Sequence, residues 1–570
     1  MKIKTTTPSF IIVIAVGFVA LSPIAQAISP PPDGGYPGGN TAEGQSALLS
    51  LTSGTYNTAV GSSSLSSNTA GQFNTAIGAA TLLVSTASNN TATGAAALFR
   101  NTTGSPNTAN GALALLSNTT GNNNNAFGFE ALFSNTTGPY NNAFGNGALA
   151  SNTTGDRNTA MGEGAMVSST TGSQNTAVGV SALRNNTTGS YNTAIGQDAC
   201  SGNGSANFNT AVGFETLVDN TANNNTAVGA AALSFNTTGD VNTANGLEAL
   251  FFNTTGAGNT AVGAAALISN SIGGENVAVG VRALASNTNG TGNVAMGFEG
   301  LNNNTTGDDN AAVGVHALFS NTTGLDNTAV GLDALYSNTT GRYNTAIGDA
   351  ALGNSTTGDR NTAIGAGAGS GVSTASNVIC IGTAGLDQND SCFIGNIWNQ
   401  TASGGTSVYI NSNGKLGTSV SSQRFKQGIK PMGNASETLF ALKPVIFRYK
   451  KEIDPKGILQ FGLVAEDVEK VNPDLVVHDK EGKPYSVRYD RVNAMLLNEF
   501  LKEHETVETE NTIITQLKTT VARQEATIVQ QQKRFAQQEG QIDALTSSLE
   551  RVSAEIQVGG RVPQVVASQR

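Results

Sequence analysis

The residues best placed to do chemistry are Ser421 and Lys426, in the stretch Ser421-Ser422-Gln423-Arg424-Phe425-Lys426-Gln427-Gly428-Ile429-Lys430. A lysine amine can take the proton of a serine hydroxyl, filling the place that histidine holds in commoner serine hydrolases. Alone, that spacing is a weak signal that a solvated polar loop would also produce. The three histidines, His316, His478 and His504, are scattered, so the sequence assembles neither a Ser/His/Asp triad nor a zinc site. The cysteines Cys200, Cys380 and Cys392 are odd in number and widely spaced, which is no disulfide framework. No metal and no cofactor is expected. Glu466 and Asp467 are adjacent acids, but neighbours on a helix point in different directions, so a solvated or ion-paired role is expected of them.

A lysine acts as a base near neutral pH only where burial lowers its pKa, so the elements around the pair decide what it can do. Upstream lies a long uncharged array. The phrase Asn-Thr-Ala-Val-Gly-x-x-x-Leu-x-x-Asn-Thr-Thr-Gly-x-x recurs from Gly61 to Gly382 with a step of 17 residues, shortened to 16 only at Gly94 and Gly229. So constant a period means stacked, near-identical units. Two short strands per unit are expected, around Thr-Ala-Val and around Ala-Leu, giving one coil of a β-solenoid. Alanine two before the repeat glycine (Ala59, Ala177, Ala261) sits where backbones approach closely, and leucine four after it (Leu65, Leu183, Leu267) forms an internal stack. Cys200 takes a leucine slot and Cys380 an alanine slot, so both are expected to be buried rather than reactive. Glycine and asparagine are expected at positive-φ turn positions. The many Asn-Thr-Thr triplets match the glycosylation sequon, but the period already demands them as turn residues.

The ends of the chain read differently. Lys2 and Lys4, the apolar run Phe10–Leu21 and Ala25-Gln26-Ala27 form a secretory signal peptide over residues 1–27. That run is shorter than the roughly 20 residues a bilayer span needs, so no transmembrane segment is expected in the exported chain. Residues 28–55 form a Pro/Gly-rich leader, 56–382 the solenoid and 383–420 a neck or cap, with a hairpin at Val408–Gly417 and Trp398 as its core anchor. After Asn493 apolar residues recur at seven-residue steps (Phe500, Val507, Ile514, Val521, Ile528, Phe535), predicting a coiled coil over 506–556 ahead of a tail at 557–570. A net charge of −10 and a pI near 4.9 argue against a nucleic-acid partner.

Several ordered motifs follow the serine: Leu442-Lys443-Pro444-Val445 with Phe447-Arg448-Tyr449-Lys450, Gly462-Leu463-Val464-Ala465-Glu466-Asp467-Val468, Pro473-Asp474-Leu475-Val476 and Tyr485-Ser486-Val487-Arg488-Tyr489. In this order they resemble the self-cleaving intramolecular chaperone domain at the C-terminus of phage endosialidases and tail fibres, found also in myelin regulatory factor. The resemblance covers residues 421–505 and the helix after them. It implies Ser421 as nucleophile, Lys426 as its base, cleavage of the Val420–Ser421 bond and a homotrimer. The family commonly has Asp after the serine, where this chain has Ser422; Arg424 is expected to be structural.

The repeats resemble the heads of YadA-type trimeric adhesins in cores such as Asn74-Thr75-Ala76-Ile77-Gly78, although the period is longer and no C-terminal barrel pattern follows Val558. The expectation is therefore a mainly β fold: a parallel β-solenoid of about 20 coils, a small α+β chaperone domain and a coiled coil, as a secreted or surface homotrimer that cuts itself once. The ligand of such a rod, host surface or glycan, is not named by any residue. The rival expectation is a surface adhesin whose C-terminal module stays uncleaved. A glycan hydrolase fits poorly, since no repeat carries a unique acid pair.

Overall fold

The computed structural model describes residues 36–558 apart from 399, 401, 412 and 518–520; the expected signal peptide, the first part of the leader and the tail beyond 558 lie outside them. The chain divides into two units, residues 1–399 and 400–570.

The first unit is a parallel β-solenoid. Its 22-stranded sheet runs from β1 (Thr41–Glu43) to β22 (Cys392–Ile394), one short strand per coil, each paired in parallel with the strand of the next coil. Thr260 faces Val277 and Val262 faces Val279, 17 residues apart; the two 16-residue steps pair Thr75 with Thr91 and Thr210 with Thr226. The solenoid is longer than residues 56–382: the leader already forms a rung at Thr41–Glu43, and β22 pairs with Ile379–Ile381 across a step of 13. At one strand spacing per coil the stack is about 100 Å long.

The coil of residues 253–269 shows how a unit is built. Ala261, Ala266 and Leu267 are fully buried and form the interior with their counterparts above and below. Cys200 and Cys380 are buried in the slots expected, and burial pushes the Cys200 thiol up to about 12. The second expected strand is absent among the described residues. The Ala-Leu limb is a series of turns, with Ala265 at φ 56° and Leu267 at φ 52°, bonded to the next coil by Leu267 N–H to Ala283 O at 3.0 Å. Left-handed leucine costs about 1 kcal/mol or more, and the same φ recurs at Leu65, Leu183 and Leu352. Leucine holds a conformation it would avoid alone because the turn tucks its side chain into the stack.

Some asparagines, such as Asn89, Asn123 and Asn224, hold the positive φ expected of them, but the recurring ones have another role. Two columns of asparagine run inside the solenoid, and both are fully buried in this coil. Asn253 Nδ2 donates to Asn236 Oδ1 at 2.7 Å and to Gly256 O at 2.9 Å. Asn259 accepts nothing from its own turn; its N–H donates to Asn242 Oδ1 at 3.0 Å and its Nδ2 to Gly273 O at 2.9 Å. Each amide thus ties one coil to the next and satisfies a buried carbonyl. The repeat glycine is required twice over: Gly263 lies at φ 135°, and a Cβ there would sit 2.4 Å from Gly280 O.

The second unit is small and loosely cored. The expected hairpin is present as β23 (Val408–Ile410) against β24 (Leu416–Thr418). It is followed by antiparallel β25 (Val445–Phe447) and β26 (Gln460–Gly462), α1 (Ala465–Val471), the pair β27 (Val476–His478) and β28 (Pro484–Val487), α2 (Tyr489–Leu517) and α3 (Val521–Val558). Val468, Leu475, Val476, Val487, Val492 and Met495 form the core. Asn498 on α2 donates to Gly433 O at 2.9 Å and to the buried Ser436 Oγ at 2.6 Å, fixing the 3-10 segment Gly433–Ala441. Trp398, expected as a core anchor, is 93 % exposed, because no side chain among the described residues covers it.

The helical segment is also different from one long expected coil. α2 and α3 are separate helices, and the His504 and Phe535 rings lie 6.4 Å apart. Along a single straight helix those residues would be about 46 Å apart, so the two helices lie side by side. Within one chain Phe535, Ile542 and Leu549 remain more than half exposed. Ile514 and Val521, on the expected heptad seam, have no described side chains.

Candidate functional site

Ser421 and Lys426 are brought together by one turn. The 3-10 turn Gln423–Phe425 closes with Phe425 N–H to Ser422 O at 3.0 Å and Lys426 N–H to Gln423 O at 3.0 Å. It reverses the backbone so that a five-residue separation becomes a contact: Lys426 Nζ donates to Ser421 Oγ at 3.0 Å. Both residues are exposed. Ser422, where the resemblance leads one to expect Asp, leads into the turn without a capping bond from its side chain. An Asp there could accept an N–H of the turn; the bare backbone bonds hold it here.

Arg424 is held by a ring and a hydroxyl. Its guanidinium lies over the Phe425 ring at 4.6 Å, and Nη2 donates to Ser553 Oγ on α3 at 2.7 Å. That contact, 129 residues away in sequence, is one that no spacing rule reveals. Val420, whose carbonyl precedes the serine, is 54 % exposed, and apolar Phe425 and Ile429 further along the chain are 57 % and 62 % exposed. A lysine acts as a base only where burial lowers its pKa, and within the single chain Lys426 is exposed.

The remaining candidates separate as their chemistry dictates. Asp467 pairs with Lys470 at 2.9 Å; that hydrogen bond holds the Asp467 carboxyl below the usual range and raises the Lys470 amine. Both sit exposed on α1, as expected for an ion-paired acid. His478 lies 2.6 Å from Glu469, and His316 lies in the solenoid 3.2 Å from Asp333. Among the described residues no group of three or more His, Cys, Asp or Glu is arranged to hold a metal.

Residues 421–477 match the family model of the chaperone of endosialidase. The match begins at the serine itself and runs through α1 into β27, spanning the turn and half of the small core's buried residues. No curated protein and no solved structure matches the chain. The endosialidase-chaperone segment is thus joined to a parallel solenoid of 17-residue coils, an arrangement that fits a fibre of the tail-fibre or endosialidase type. No helix among the described residues is long and apolar enough to cross a membrane.

Proposed function

We propose that the protein is an exported homotrimeric rod whose endosialidase-chaperone unit drives assembly and then releases itself by cutting between Val420 and Ser421. The observation that carries this reading is the 3.0 Å contact between Lys426 Nζ and Ser421 Oγ, at the residue where the family match begins. In the reaction Ser421 Oγ attacks the Val420 carbonyl carbon through a five-membered intermediate as Lys426 takes the hydroxyl proton. The C–N bond then breaks, the proton passes to the departing Ser421 nitrogen, and an ester links Val420 to Oγ. Water opens that ester, leaving a carboxylate on Val420 and a free serine at the new N-terminus.

Assembly supports the same reading from the energetic side. Phe440, Ile446, Phe461 and Tyr485 are 64–77 % exposed in one chain, a large apolar display for so small a core. A neighbouring copy would cover it and dry the lysine, so that cutting reports on completed assembly. Export rests on the N-terminal pattern of Lys2, Lys4 and Phe10–Leu21, and a secreted or surface location follows from it.

The test is a denaturing gel of folded wild-type protein beside S421A and K426A. Wild type should yield a fragment whose N-terminal residue is Ser421, while both variants stay full length. Intact wild-type protein after folding would favour the second reading, an uncleaved adhesin, which the exposure of both dyad residues and the Ser422 departure also favour.

A further inference from the structure

The solenoid has one face that combines a column of exposed apolar side chains with a lack of charge. In each strand the middle residue points inward and its two neighbours point outward, making two columns along the rod. One is mostly threonine; the other holds Val60, Ile77, Ile195, Val262, Val330 and Ile364, each 37–44 % exposed, with few polar interruptions such as Thr93 and Asn110. From Thr58–Val60 to Cys392–Ile394 neither column contains a single Asp, Glu, Lys or Arg. Charge is not scarce on this rod. The column two residues after the repeat glycine carries Glu130, Glu215, Glu248, Arg282, Glu299 and Asp333. A solvated sheet face would accept such residues somewhere along its length.

We propose that this face is the seam along which a second copy of the rod packs, parallel and in register. The inference rests on the assembly reading above and names its surface. A strip about 10 Å wide and 100 Å long offers on the order of 1,000 Å² per copy, above the ~800 Å² per partner of a standard stable interface. Its complement must carry apolar groups at the same coil spacing over the same length, and an identical chain does so. The repetition also creates a hazard: copies slipped by any whole number of coils would make nearly the same contacts. Something without a repeat must choose the register, and the non-repetitive segment beyond residue 400 meets that need.

The test uses the full chain with C392S, because Cys392 itself lies on the face. V262C and, in a second protein, V330C are treated with a short bis-maleimide, and V241C serves as the off-face control. Val241 is 58 % exposed in a column where other coils place Glu275, Asp309 and Asp326. Sedimentation gives the mass of each protein. An assembled protein in which both face cysteines cross-link at least tenfold more than V241C supports the seam. Assembly without that difference, whether the face is bare or holds some other molecule, overturns the seam and leaves trimerisation standing. A single-subunit mass overturns both.

Discussion

Gly263 shows why single residues in this rod have little freedom. At φ 135° only glycine is comfortable, and an added Cβ would meet the carbonyl of Gly280 at 2.4 Å, backbone that cannot step aside. G263A should therefore destabilise the rod by roughly 2–4 kcal/mol, more than backbone strain alone, read as a lower urea midpoint; a shift under about 0.5 kcal/mol would refute the close approach. The glycine column was legible because its spacing is constant. The left-handed leucines were not, since leucine at φ near 50° violates a local preference that only the coil-to-coil bonds override.

At the scale of the element, the last coils are held by Asp387. Its carboxylate accepts the N–H groups of Ser373, Thr374 and Ala375 and the Ser373 hydroxyl, which holds its pKa far below the ordinary carboxylate value. Because the folded value is the lower one, the stabilisation is complete above the unfolded pKa near 3.9 and disappears as the pH falls through the folded value. D387A should lower the unfolding midpoint at pH 7, and the gap to wild type should narrow below about pH 4. A gap independent of pH would show that the carboxylate charge is irrelevant. The hairpin β23–β24 was visible in its alternating apolar residues and Gly414 turn, whereas the side-by-side packing of α2 and α3 was not. A heptad pattern says which face of a helix is apolar and nothing about whether the chain doubles back to cover it.

At the scale of the whole molecule, Trp398 is a reporter placed by the sequence itself. In one chain it is 93 % exposed, and Val408, Ile410 and Leu416 nearby in sequence are 63–67 % exposed. Assembly that covers the neck should shift the emission of this lone tryptophan to the blue of the denatured chain's by about 10 nm or more, an estimate for a ring moved out of water. Emission unchanged on assembly would leave the neck wet and confine the contacts to other surfaces. The −10 net charge opposes association only weakly here, because the charges avoid the sheet face.

The repeat by itself determined the parallel solenoid, its inward alanine and leucine columns, and the burial of Cys200 and Cys380, since each follows from a fixed spacing acting through local geometry. Tertiary structure alone decided that each coil carries one strand and not two, that asparagines stack as buried ladders, and that Arg424 reaches Ser553. The reason is one of range. A period dictates what repeats between neighbouring coils, while a contact between residues 129 apart depends on where two unrelated segments come to rest.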